Sequence, residues 1–265
     1  MNVNLKILVF SFVLLTVTAL SSMAVGYQLQ TLEKAHGLFR SATNAMMYAE
    51  AAQQYEYLVV EEGVRNGNLY YTLGNSWFMA DETGRAILSY RRAEQYLPGN
   101  ADVQHNLNTA LQMRIDLIPR KELHPLAARL FGWHFNTSTS VRWWGFTLCW
   151  LLLWGAWIWM SRSSKKEARI TVITAGILSI ALLASLVTES ILERRNEPGV
   201  LTAKEVLTRK GDSTMYAPAF LEPLHAGTEF QRLEDRGAWW HIRLADGQTC
   251  WIPSTAAETI TLTSE

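Results

Sequence analysis

Apolar residues follow three regimes along the chain. From Leu5 to Leu20, Val141 to Met160 and Ile170 to Thr188 they run almost without interruption. Between about 27 and 118 they recur at helical spacing among polar residues. From about 198 the period falls to two, with Trp240, Ile242 and Leu244 alternating with Trp239, His241 and Arg243. The pattern predicts a multidomain membrane protein: an α-helical module, a transmembrane helix hairpin and a small all-β barrel.

The first run ends at Ser22-Met23-Ala24, with small residues where a signal peptidase reads, and predicts a signal peptide over 1–24. An uncleaved anchor is the alternative, and either exports the residues after it. The second and third runs, 141–160 and 170–188, have the ~20-residue length that crosses ~30 Å of hydrocarbon. Neither has the polar face of a soluble core helix. The loop 161–169 holds Arg162, Lys165, Lys166 and Arg169 against Glu167 alone. A short basic loop stays in the cytoplasm, so both outer ends of the hairpin are expected outside. Trp143, Trp144, Trp157 and Trp159 stand near the ends of the first span, as interfacial aromatics do. Arg142 and Glu189 lie at the margins, and no ionisable residue stands mid-span, which argues against a pump or channel.

Within 27–118, Gly67 to Asn100 fits one 34-residue tetratricopeptide repeat (TPR). Tyr70, Leu73, Gly74, Trp77, Ala86, Tyr90, Ala93 and Pro98 occupy the signature positions. Gly74 and Ala86 permit a close helix crossing, the large residues fill it, and Pro98 stops the second helix, with Asn100 or Asp102 to cap the next. A weaker copy precedes it, since Ala51, Tyr55 and Leu58 lie 35 residues before Ala86, Tyr90 and Ala93. Its turn before Tyr48 is about three residues short of the repeat spacing. A further helix is expected over 101–117, with Val103, Leu107, Ala110, Leu111 and Arg114 at helical spacing, for about five helices in all. In this frame Asn68, Tyr71, Asn75 and Phe78 face a peptide-binding groove; the alternative is that Tyr71 and Phe78 pack on the neighbouring repeat. The linker 119–140 is expected to hold a short helix from Pro125 lying on the membrane surface, with Leu126, Leu130 and Phe131 on one face.

In the β module, 198–262, Asp246-Gly247 and Asp235-Arg236-Gly237 mark tight turns. Gly227-Thr228, Gly237-Ala238-Trp239, Ile242, Asp246-Gly247 and Trp251-Ile252 resemble the bacterial SH3 pattern, with Cys250 where that family usually has Gly. Tyr216, Trp239 and Trp251 are candidates for a ligand surface, against the alternative that at least one Trp belongs to the barrel core.

Lys and Arg total 24, as do Asp and Glu, so no charge excess points to nucleic acid. Cys149 lies in an apolar span and Cys250 in the β module, which implies no disulfide framework. The six histidines are scattered, His36 and His105 among them, and predict no metal site. Glu61-Glu62 reads as a solvated helix end. No nucleophile elbow, phosphate loop or Cys–His pair is visible, so neither catalytic residues nor a cofactor are expected.

The order of export signal, repeat module, hairpin and SH3-like tail resembles the BatE family, the tetratricopeptide proteins of Bat aerotolerance operons. Residues 67–75 (GNLYYTLGN), Ala86 to Tyr90 and His105 to Leu107 carry the resemblance most specifically. It implies a non-enzymatic inner-membrane scaffold with both modules in the periplasm. It also implies partners: von Willebrand A-domain membrane proteins and a MoxR-type AAA+ ATPase in envelope stress tolerance. The alternative is a cell-wall protein that binds peptidoglycan through the SH3-like domain.

Overall fold

The structure, a computed structural model, describes residues 26–119, 133, 137–162, 166–195 and 197–261. The expected signal peptide, most of the 119–140 linker and residues 163–165 of the basic loop lie outside the described residues. The chain divides into two compact units. One joins residues 26–119 with residues 198–261; the other is made of the described residues between them.

The first unit opens with five helices: α1 (26–41), α2 (Ala45–Val60), α3 (Gly67–Met79), α4 (Thr83–Tyr96) and α5 (Ala101–Gln112). Asparagine starts three of them. Asn44 accepts from the Met47 amide, Asn66 from those of Asn68 and Leu69, and Asn100 from those of Asp102 and Val103. Each such cap satisfies amides that lack an intrahelical partner and contributes about 1 kcal/mol. α3 and α4 form a helix–turn–helix closed by Asp81, whose φ is 60°. They cross closely at Gly74, where a Cβ would come within 2.6 Å of the Tyr90 ring. Tyr55, Tyr70, Leu73, Trp77, Ala86, Ile87 and Tyr90 fill the helical core.

The expected helix over 101–117 ends at Gln112. Beyond it the chain alternates. Ile118 packs on the β core and Asp116 is drawn to the β module, while Ile115 and Leu117 stand 71% and 73% exposed. A long-range anchor at Asp116 overrides the helical propensity of this stretch.

Seven strands come next: β1 (Glu197–Leu201), β2 (Glu205–Val206), β3 (Leu224–His225), β4 (Glu229–Asp235), β5 (Trp239–Leu244), β6 (Thr249–Pro253) and β7 (Ala257–Thr259). Five make a curled, antiparallel half-barrel in the order β6-β5-β4-β1-β7, and β2 pairs with β3. Gly237 and Gly247, at φ of 72° and 90°, make the β4–β5 and β5–β6 turns. Alternate residues point inward, so Leu201, Phe230, Ile242, Cys250 and Ile252 meet in a core.

The second unit contains α6 (Thr139–Arg162) and α7 (Lys166–Arg195). Both contain segments long and apolar enough to cross a membrane, Thr139–Arg162 and Arg169–Thr188. They pack along a seam where small residues admit large ones: Gly145 faces Leu182, and Gly176 faces Leu153. Arg142 is buried at one end of the seam, where its Nη1 donates to Ser185 Oγ at 2.9 Å.

Candidate functional site

Helices α1 and α3 and the end of α2 border a cleft of about 330 Å³. Its walls are apolar, from Leu32, Leu58 and Leu69, and its rim is polar, from Gln28, Asn68 and Thr72. His36 also lines it, with Nδ1 2.7 Å from the Tyr55 hydroxyl. Burial pushes that phenol up to about 12, against a lesser opposing effect of Arg40, so the hydroxyl stays neutral. Of the four expected groove residues, Asn68 lines this cleft. Tyr71, Asn75 and Phe78 are partly buried and contact neighbouring helices. The Tyr90 hydroxyl donates to Asn75 Oδ1 at 2.8 Å, and Asn106 Nδ2 donates to the same oxygen at 2.9 Å and to the Tyr71 hydroxyl at 3.1 Å. This network ties α3 to α4 and α5. Phe78 is half-buried against the helical core.

The aromatics of the half-barrel also divide. Trp251 is only 9% exposed. Its ring stacks on His241, its cross-strand neighbour, at 4.8 Å, and the Arg236 guanidinium lies 4.8 Å from its centroid. Asp212 and Glu234 each hold Arg236 at 2.7 Å. Trp251 therefore offers little surface to a ligand. Trp239 is half-buried opposite Pro253 at a strand end. Tyr216 is 50% exposed, on a loop that also presents Met215 at 92% and Leu221 at 106%. Trp240, its indole under the Arg232 guanidinium, turns inward to Phe230.

A third group of polar residues was not foreseen: those that dock the half-barrel onto the helices. Asp116 receives three hydrogen bonds, from the His225 amide at 2.6 Å, the Thr228 hydroxyl at 2.7 Å and His225 Nδ1 at 2.9 Å. Burial alone would raise the carboxyl's pKa; the His225 amide, the Thr228 hydroxyl and the His225 ring outweigh it and hold it below the usual range. Glu229 takes Arg91 at 2.8 Å and Arg114 at 3.3 Å. Burial works against the Arg91 cation, yet Glu229 and Glu94 leave its pKa raised. Arg92, buried in α4, donates to the Thr259 carbonyl at 2.8 Å and to Glu258 at 3.1 Å. Val200 and Ile260 complete the helical core from the β side. Contact is close enough that a Cβ on Gly84 would lie 2.4 Å from the Leu201 carbonyl oxygen. Gly84 inside a helix is the one local signal for this interface, because glycine is unfavourable there without a tertiary reason.

No cluster of His, Cys, Asp and Glu among the described residues could hold a metal. Cys250 is buried, and burial, with a smaller effect from Asp246, pushes its thiol up to about 12, which leaves little thiolate for nucleophilic chemistry at neutral pH. Comparison of the chain with models of protein families, with curated proteins and with solved structures found no match in any of the three.

Proposed function

We infer that the protein is a non-enzymatic membrane scaffold of the BatE type: a tetratricopeptide module and an SH3-like barrel carried on the outer face of a bacterial inner membrane by a two-helix hairpin. One observation carries this reading. Residues 26–119 and residues 198–261 fold into one compact unit, and both apolar helices lie between them in the chain. A folded body that precedes and follows the helices must stand on one side of the bilayer, so the crossings must be even in number. The basic residues of 161–169 then favour the cytoplasm for the intervening loop. The apolar cleft beside Asn68 is suited to an extended partner segment, with rim amides and hydroxyls to take its backbone. In the BatE reading the partners are von Willebrand A-domain membrane proteins, acting with a MoxR-type AAA+ ATPase.

Mild crosslinking and affinity purification from solubilised membranes tests this, and von Willebrand A-domain proteins are expected in the eluate. Their absence with intact bait contradicts the partner assignment. A second reading, peptidoglycan binding, is favoured by the open loop bearing Met215, Tyr216 and Leu221. It predicts that the full chain in detergent sediments with purified sacculi and that Tyr216→Ala weakens this; no sedimentation removes it.

A further inference from the structure

Five aromatic residues form a continuous ladder down α6. Trp143, Phe146, Trp150, Trp154 and Trp157 recur at i+3 and i+4 spacing, with successive ring centroids 6.1, 5.8, 5.9 and 5.0 Å apart. Four of them directly follow seam residues (Arg142, Gly145, Leu153 and Ala156), so the ladder lies ~100° of helix rotation from the face that meets α7. Packing of the hairpin leaves it uncovered, with Trp143, Trp150, Trp154 and Trp157 at 52%, 44%, 43% and 50% exposure.

Lipid suits part of this ladder and not the rest. Trp143 and Trp157 stand near the ends of the span, where an indole N–H reaches headgroups and water. Trp150 is at the middle of the 24-residue helix, and Trp154 is one turn on. Among the described residues neither of their indole N–H groups donates a hydrogen bond, and a donor left unpaired in hydrocarbon is costly. The face of another aromatic ring is an acceptor available at that depth.

We propose that the ladder pairs with the same ladder of a second copy of this chain, forming a parallel dimer in the membrane. The proposal rests on the membrane-spanning reading above. Copies inserted in one orientation carry the ladder at one depth, so a two-fold axis along the membrane normal brings Trp150 to Trp150 and Trp154 to Trp154. Such a contact is self-complementary, as a two-fold interface must be. In lipid, burying apolar area does not by itself drive association, so the contact rests on ring-against-ring packing, about 0.5–1.5 kcal/mol for each aromatic pair. The opposite face of α6 carries exposed Leu148 and Leu152, aliphatic groups that lipid solvates well.

The test reconstitutes the full chain into lipid vesicles at low density and counts subunits by single-molecule photobleaching. Carbonate resistance of each variant reports insertion separately. The native chain is expected to bleach in two steps. Trp150→Leu with Trp154→Leu should weaken pairing about tenfold or more while preserving insertion, and Leu148→Ala with Leu152→Ala should leave it unchanged. A photoreactive phenylalanine at position 146 should crosslink one copy to another. Single-step bleaching of an inserted native chain, undiminished pairing of the Trp variant, or crosslinks only to lipid or to another protein overturns the proposal. Release by carbonate overturns the membrane reading itself, and the proposal with it.

Discussion

Replacing Asp116 by alanine should unfasten the half-barrel from the helices. The carboxylate is 15% exposed and accepts three hydrogen bonds, at 2.6, 2.7 and 2.9 Å, from residues 109 and 112 positions away. Hydrogen bonds to a charged group contribute about 1.5–3 kcal/mol each, but three on one carboxylate do not add in full. Alanine also leaves the His225 amide and Thr228 hydroxyl without an acceptor. The expected loss is about 3 kcal/mol, which for a body of this size lowers Tm by about 6–12 °C. The pH dependence fixes the cause. Because the folded pKa of Asp116 is lowered, its stabilisation is present above the unfolded value, about 4, and disappears as pH falls through the folded pKa. Asp116→Asn, which carries no charge, should be less stable than the native chain at pH 7 and converge with it in acid. Thermal unfolding of the full chain in micelles at pH 7 and at acid pH below the folded pKa of Asp116, with hydrogen exchange read at the amides of 224–228, measures both. An unchanged Tm for Asp116→Ala, or a native-to-Asn difference that persists in acid, refutes the argument.

Other positions give separate checks. Gly84→Ala in an ordinary helix would stabilise by up to about 1 kcal/mol, but the Leu201 carbonyl 2.4 Å from the new methyl reverses the sign. A loss of about 2 kcal/mol and faster exchange at the Leu201 and Gly227 amides are expected on denaturation and hydrogen exchange. Asn75→Ala removes the acceptor of both Tyr90 and Asn106 and should cost about 1–3 kcal/mol in thermal unfolding. With Cys149→Ser in place, Cys250 should resist maleimide at pH 7 in the folded chain and react once denaturant opens the half-barrel; prompt labelling of that folded variant would contradict its burial.

Contact range decides which features are legible in the chain. Gly74, Trp77, Ala86 and Tyr90 meet across a single turn, so their spacing alone predicts the close crossing of α3 and α4. Asp246-Gly247 reads as a turn because its geometry is local, and the apolar runs around Trp150 and Ile177 carry their own length. The docking was illegible because its contacts join distant parts: Arg92 reaches Glu258 across 166 residues and Asp116 reaches His225 across 109. The same cause misplaced the end of α5, since nothing local says that Asp116 and Ile118 are drawn to the barrel. For Tyr71, Asn75 and Trp251 the sequence does not separate ligand contact from internal packing, because polar and aromatic types suit both. The packing shows only in the neighbours, Asn106 for the first two and Arg236 with His241 for the third.

The central proposal is one folded body on the outer side of the membrane, with both apolar helices between its two stretches of chain. Cysteine labelling in spheroplasts tests it most directly. Met46→Cys and Met215→Cys, at positions 83% and 92% exposed on the helical and β parts of that body, should both react with a membrane-impermeant maleimide in intact spheroplasts. Ser164→Cys, in the basic loop, should react only after permeabilisation. Opposite accessibility of the Met46 and Met215 positions, or labelling of position 164 from outside, contradicts the account.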